Sequence, residues 1–247
     1  MTGVQSCALP ILGLVFLMAM LYSSVGHGGA SGYLALMALF SFPPEFMRPS
    51  ALVLNIFVSS IALFSYARNS HFRLKLLLPF IITSVPMSFV GGLISTNPKI
   101  YKIILGIFLL IAIARMVYQP DNKSGEIREV NNPLALFIGF FLGFLSGLIG
   151  IGGGIILSPI IILLKWGSVK ETAAVSAAFI LVNSVAGIAG QFSQSFQLAP
   201  EIGWMLGVAV AGGLIGSHIG SFKITDKALK YALSVVLIFA SYKLLFV

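Results

Sequence analysis

Residues 147–164 read GLIGIGGGIILSPIIILL, and residues 25–40 read VGHGGASGYLALMALF. In both, a cluster of glycines interrupts a strongly apolar stretch, and the apolar run that follows is short. A helix needs about 20 residues to cross roughly 30 Å of hydrocarbon, so segments 30–42 and 153–166 reach only about 20 Å. Each is a half-helix or a re-entrant segment, and each glycine cluster is the tip of a hairpin inside a membrane.

The rest of the chain agrees with a lipid setting. Of 247 residues, 58% are hydrophobic and 9% charged, against about 25% charged in an ordinary soluble domain. With a mean hydropathy of +1.03, the 22 charged side chains cannot coat a soluble particle of this size. The fold class is therefore all-α, a polytopic membrane protein in the lipid bilayer. The 26 glycines fit, because they let neighbouring backbones approach closely. A net charge of +8 would suggest nucleic acid in a soluble protein. Here the cations sit mostly in short loops between apolar runs, so they report orientation, and no nucleic-acid partner is expected. The lone Cys7 excludes an internal disulfide and a multi-cysteine metal site, and no cofactor is expected. Residues 1–8 carry neither a basic n-region nor a cleavage site; they resemble translated adapter sequence and are expected to be a non-native start.

Ten apolar runs follow one another: 9–25, 30–42, 47–67, 76–96, 99–118, then 133–149, 153–166, 170–190, 202–221 and 228–246. They form two copies of five. Gly26-His27-Gly28-Gly29 lines up with Gly150-Ile151-Gly152-Gly153 at an offset of 124, and Ser50-Ala51 with Ser176-Ala177 at 126. Gly91-Gly92-Leu93-Ile94 matches Gly212-Gly213-Leu214-Ile215 at 121, and Lys99 with Lys102 matches Lys227 with Lys230 at 128. Repeat 1 spans 9–118, repeat 2 spans 133–247, and residues 119–132 are a polar linker, all within one membrane domain.

Charge sets the relative orientation of the copies. The loop after the third run carries Arg68, Arg73 and Lys75, whereas its counterpart, 191–200, has no Lys or Arg; the next connection has Lys223 and Lys227. The positive-inside rule places 68–75 and the linker in the cytoplasm and 191–200 outside. Equivalent loops on opposite faces mean inverted repeats, each a glycine-tipped hairpin plus three transmembrane helices. Both termini then lie outside, and Lys99 and Lys102 are exceptions to the rule.

Backbone at membrane depth that leaves helical geometry must be buried in protein or line a wet cavity. Gly26, Gly28, Gly29 and Gly32, and Gly150, Gly152, Gly153 and Gly154, supply the permissive turns, with Gly28, Gly29, Gly152, Gly153 and Gly154 the candidates for contact with an anion. Behind each turn a short helix begins, and its free N–H groups and partial positive charge favour an anion. Two inverted copies bring two such N-termini face to face, a site for a small anion at the midplane. Ser31, Ser50, Asn55, Ser176 and Asn183 are candidate donors, since hydroxyls and amides bond an oxyanion without adding charge. His27 is the ionisable residue of a hairpin tip, a candidate for a coupling proton or for contact with the anion. Arg48, at the mouth of the third run, is either a snorkelling anchor or an anion-attracting gate.

These strings resemble a known family. The glycine cluster after the sixth run, its partner GHGG, the AAVSAAFILVNSVAG string at 173–187 and the paired GGLI segments are similar to the sulfite exporter TauE/SafE permeases, also called toluene-sulfonate uptake permeases. The resemblance covers residues 12–247. It implies a secondary transporter of the bacterial inner membrane for small, often sulfur-containing oxyanions or organosulfonates, with self-association left open.

Other classes have less support. No nucleotide-binding loop of the G-x-x-x-x-G-K-[ST] type is present, which excludes primary active transport by this chain alone. An anion channel remains an alternative, although channels usually close a pore by oligomer symmetry. An intramembrane serine protease would need Ser31, in Gly29-Ala30-Ser31-Gly32, to meet His218. Glu45, Glu171 and Glu201 sit at run ends and Asp226 in a loop, so the usual carboxylate relay of a proton-coupled carrier is missing.

Overall fold

The computed structural model describes residues 8–68, 72–95, 97–117, 127–193 and 201–220, with residues 238, 241, 242 and 245 beyond them. The expected non-native start, most of the linker, most of the 191–200 loop, Lys223, Lys227, Lys230 and most of the tenth run lie outside the described residues. The described elements are helices throughout: α1 (Ala8–Ser23), α2 (Ala30–Leu39), α3 (Pro44–Ala67), α4 (Leu74–Leu93), α5 (Pro98–Val117), α6 (Asn132–Ile149), α7 (Gly154–Leu163), α8 (Val169–Phe192) and α9 (Glu201–Gly220). Five of them, α3, α4, α6, α8 and α9, are long and apolar enough to cross a membrane. The chain is thus an all-α polytopic membrane protein, with large apolar side chains such as Phe64, Ile82 and Phe137 more than 60% exposed on its flanks, as lipid contact requires.

Local signals start and stop these helices. Pro44 opens α3, where its missing N–H costs nothing. Asn131 caps α6 by accepting from the Leu134 N–H, and Ser168 with Glu171 forms a reciprocal capping box at the start of α8. Gly150 ends α6 at φ +87°, and Gly153 then starts α7 at φ +72°. Gly26 and Gly29 do the same after α1 and before α2, at φ +77° and +92°. With Gly152 at φ +76°, five left-handed residues at the two breaks explain why glycine is required there.

α8 is the most enclosed of the five long helices and packs against α3, α4, α6 and α7. The contact between α4 and α6 depends on missing side chains: a Cβ on Gly139, Gly143 or Gly147 would strike the carbonyls of Phe80, Ser84 or Ser88. α9 rests on α1 and α3. Gly212 and Gly216 meet the carbonyls of Phe16 and Met20, and Ser23 donates to the Gly213 carbonyl at 2.7 Å. At one end of the bundle, Arg73 pairs with Glu171 at 3.4 Å, and the Arg128 N–H donates to the Lys165 carbonyl at 2.7 Å. The starts of α4 and α8, the end of α7 and the approach to α6 therefore share that end.

Candidate functional site

The two breaks in the helices converge on one pair of side chains. A Cβ on Gly28 would meet the Asn55 carboxamide and the Ile180 Cγ2. A Cβ on Gly152 would lie 2.7 Å from Asn55 Nδ2 and 2.9 Å from the same Ile180 methyl. Asn55 ties the breaks together by hydrogen bonds as well. Its Oδ1 accepts from the Ala30 N–H at 3.1 Å, at the first turn of α2, and its Nδ2 donates to the Ile151 carbonyl at 3.3 Å. Neither α2 nor α7 has a side-chain cap from its own N-cap residue, because that residue is glycine. A distant amide caps α2 instead.

His27 projects from the first break into the opposite half of the molecule. Its Nδ1 lies 3.0 Å from the Val25 carbonyl, and its Nε2 lies 3.0 Å from Ser158 Oγ on α7. Ser158 Oγ is in turn 2.7 Å from Ser176 Oγ on α8. A carbonyl can only accept, so the proton sits on Nδ1 and Ser158 donates to Nε2. Sequence reading missed Ser158. The available signal was its position four residues after Gly154, on the face of α7 that the break itself presents.

Other candidate residues are held elsewhere. Ser50 donates to the Phe46 carbonyl within its own helix, and Asn183 Nδ2 does the same to Phe179. Ala173, Phe179, Ile180 and Ser184 of α8 stand nearest the break glycines, and of these Ile180 meets both breaks. Ser31 donates to the Tyr22 hydroxyl at 2.8 Å and not to a histidine, which removes the dyad that a protease would need. Space for a side chain at Gly29 is blocked by Tyr33, at Gly153 by Phe179 and at Gly154 by Ile180, so among the five tip glycines Gly28 and Gly152 are the ones that face Asn55.

Arg48 is neither a lipid anchor nor a free gate. Its guanidinium donates to the carbonyls of Gly91, Gly92, Ile94 and Gly147, at 2.6 to 3.1 Å. It closes the C-terminal ends of α4 and α6, where carbonyls lack partners and the helix dipole is negative. Some buried polar atoms near the breaks have no partner: Ser184 Oγ, 3.3 Å from where a Gly152 Cβ would stand, Asn183 Oδ1, and the Tyr33 hydroxyl over Gly29. No cluster of three or more metal-ligating side chains occurs among the described residues.

The profile of the sulfite exporter TauE/SafE family matches residues 11–244. The chain belongs to the TauE/SafE family. It is 36% identical over 234 residues to the probable membrane transporter protein y4hK of Sinorhizobium fredii, covering 93% of this chain and 95% of that one. It is 32% identical over 195 residues to the probable membrane transporter protein MJ0441 of Methanocaldococcus jannaschii, covering 73% and 71%. With the probable membrane transporter protein YunE of Bacillus subtilis the identity is 28% over 228 residues, covering 82% and 81%. No solved structure matches the chain. TauE/SafE proteins are transporters and not enzymes. A bacterial TauE/SafE protein with apolar helical spans is a multi-pass protein of the inner membrane, since outer-membrane spans are built as β-barrels.

Proposed function

We propose that this chain is a secondary transporter of a small anion, a sulfur oxyanion or an organosulfonate, bound at mid-membrane between the N-termini of α2 and α7. The carrying observation is that both glycine breaks meet the same two residues, Asn55 and Ile180. Each is the twelfth residue of a 24-residue helix, counting from Pro44 in α3 and Val169 in α8. The first N–H groups of α2 and α7 have no carbonyl one turn back to bond to. An oxygen already occupies one of them, the Asn55 Oδ1 on Ala30, and the partnerless Ser184 hydroxyl stands beside Gly152. An oxyanion would use the same donors, drawing on Gly28, Gly29, Gly152, Gly153 and Gly154 for backbone approach. The sulfur chemistry is suggested by the family's description.

An inverted duplication, 9–118 and 133–247, accounts for the contacts best. Gly26 rests on Ala173 as Gly150 rests on Arg48, and Gly91 approaches the Phe144 carbonyl as Gly216 approaches that of Met20. The packing of α4 on α6 and α8 has its counterpart in α9 on α1 and α3. This pairing sets Gly91 against Gly216, one helical turn from the match to Gly212 read in sequence. The bundle end that gathers Arg73, Arg128, Lys165 and Glu171 is then cytoplasmic by its basic excess.

Flux of labelled sulfite, thiosulfate, sulfate and small sulfonates into proteoliposomes tests the proposal. Saturable uptake of one of them at low turnover is expected, and resolved unitary currents would favour a channel.

A further inference from the structure

We infer that His27, with Ser158 and Ser176, is a proton site coupled to the anion, taking up one proton as the anion enters and releasing it with the anion on the other side. This rests on the anion site proposed above and goes beyond it by naming the coupling ion. The geometry carries the argument. Nδ1 is committed to the Val25 carbonyl, so Nε2 is the nitrogen open to a proton. It points at a hydroxyl, Ser158, which can either donate or accept. When Nε2 gains a proton from water, Ser158 turns to accept from it and donates its own hydrogen to Ser176 Oγ. No bond other than hydrogen bonds is made or broken, and the added charge remains on the imidazole.

Among the described residues, that charge has no counter-ion within hydrogen-bonding reach. On the elements around the ring, the titratable groups are Tyr22 on α1, Tyr33 on α2, Glu45, Arg48 and Tyr66 on α3, Glu201 and His218 on α9, and Lys170 and Glu171 at the start of α8; α7 carries none. Glu45 is exposed in the first turn of α3, and Glu201 is the first residue of α9. Tyr66 donates to the Ser24 carbonyl, Arg48 is held by four carbonyls, and Glu171 is engaged by Arg73 and the Ser168 cap. The ring also sits beside two helix N-termini, whose partial charge is positive. The carbonyls of Val25 and Gly154 face the ring but carry no full charge, so an imidazolium there is opposed until an anion arrives, and the anion binds more tightly once the imidazolium has formed. Each thus promotes the other, which is the thermodynamic requirement for symport.

Calorimetry of thiosulfate binding at pH 7, in two buffers of different ionisation enthalpy, counts the protons taken up; thiosulfate keeps its charge across this range. The purified full chain should take up about one proton per anion. His27→Gln, whose amide can still accept from Ser158, should bind thiosulfate with no proton uptake and with an affinity flat from pH 6 to 8. Ser158→Ala, which removes the acceptor of the imidazolium, should weaken binding at pH 6 by about tenfold. Thiosulfate binding without proton uptake in the wild-type chain, or uptake unchanged in His27→Gln, overturns the inference while leaving the anion site standing. Failure of the wild-type chain to bind thiosulfate, sulfate or a sulfonate at any pH removes the anion site and the coupling together.

Discussion

The break at Gly26–Gly29 and the break at Gly150–Gly153 begin and end on left-handed glycines with φ between +72° and +92°. Where the first carries His27, the second carries Ile151, and where α3 offers Asn55 to them both, α8 offers Ile180. Gly150 is backed by a charged side chain, Arg48, and Gly26 by Ala173. The backbone, which decides where two helix N-termini meet, is repeated. The side chains, which decide what can be held there, are not. An amide and an imidazole come from one half and hydroxyls, Ser158, Ser176 and Ser184, from the other. In the proposed site the polar lining is therefore assembled only when both breaks are in place.

The comparison can be broken first at the glycines. Gly152→Val adds bulk against Asn55 and Ile180 at φ +76°, and transport should fall by more than about 100-fold while the protein still inserts. Gly28→Ala meets Asn55 too, but without a positive φ, and should lose roughly tenfold or more. Gly207→Val, on α9 with open space around it, should transport normally. A silent Gly28→Ala beside a dead Gly152→Val would mean that backbone strain, and not room for the anion, distinguishes the two positions.

Changing the polar residue should have the next largest effect. Asn55→Asp keeps an acceptor for the Ala30 N–H but adds a negative charge and gives up the bond to the Ile151 carbonyl, so anion affinity should drop by about 100-fold, with a smaller loss of thermal stability, about 1 kcal/mol. Equal losses of affinity and stability would reduce Asn55 to a packing residue. Arg48→Lys should behave in the opposite way. It cannot satisfy four carbonyls, so thermal unfolding should reveal a loss of about 2–4 kcal/mol with affinity in the surviving protein little changed. The smallest effect separates the matched serines: Ser176→Ala should cost about 3- to 10-fold in affinity at pH 6 and Ser50→Ala less than about twofold, measured by calorimetry.

Much of the fold was legible because the signals were local. Apolar runs gave the helices, and the glycine clusters gave the breaks, although Gly28, Gly32 and Gly154, read as turn glycines with the rest, do not take positive φ. The arrangement at the breaks was legible only in part: Gly28, Gly152 and Asn55 meet and His27 stands in the first break, but which partners they find depends on register between distant helices. Asn183 is three residues from Ile180 on the same side of α8, but its Nδ2 is spent on the Phe179 carbonyl one turn back. Arg48 looked exposed because nothing in its neighbourhood of sequence reveals that α4 and α6 both end against it. Ser158 sits in an apolar segment before a proline, where its place one turn after Gly154 is the one feature that sets it apart.

Selenate, an oxyanion shaped like sulfate whose selenium scatters anomalously, offers the most direct test of where the anion binds. Crystals of the purified protein grown with selenate should show one anomalous peak between the first turns of α2 and α7, within hydrogen-bonding reach of the Ala30 or Ser31 N–H and of the Gly154 or Ile155 N–H. Asn55→Asp crystals should lack it. Selenate that competes with the transported anion yet gives its peak elsewhere, with the space between Gly28 and Gly152 empty, would contradict a site built by the two breaks.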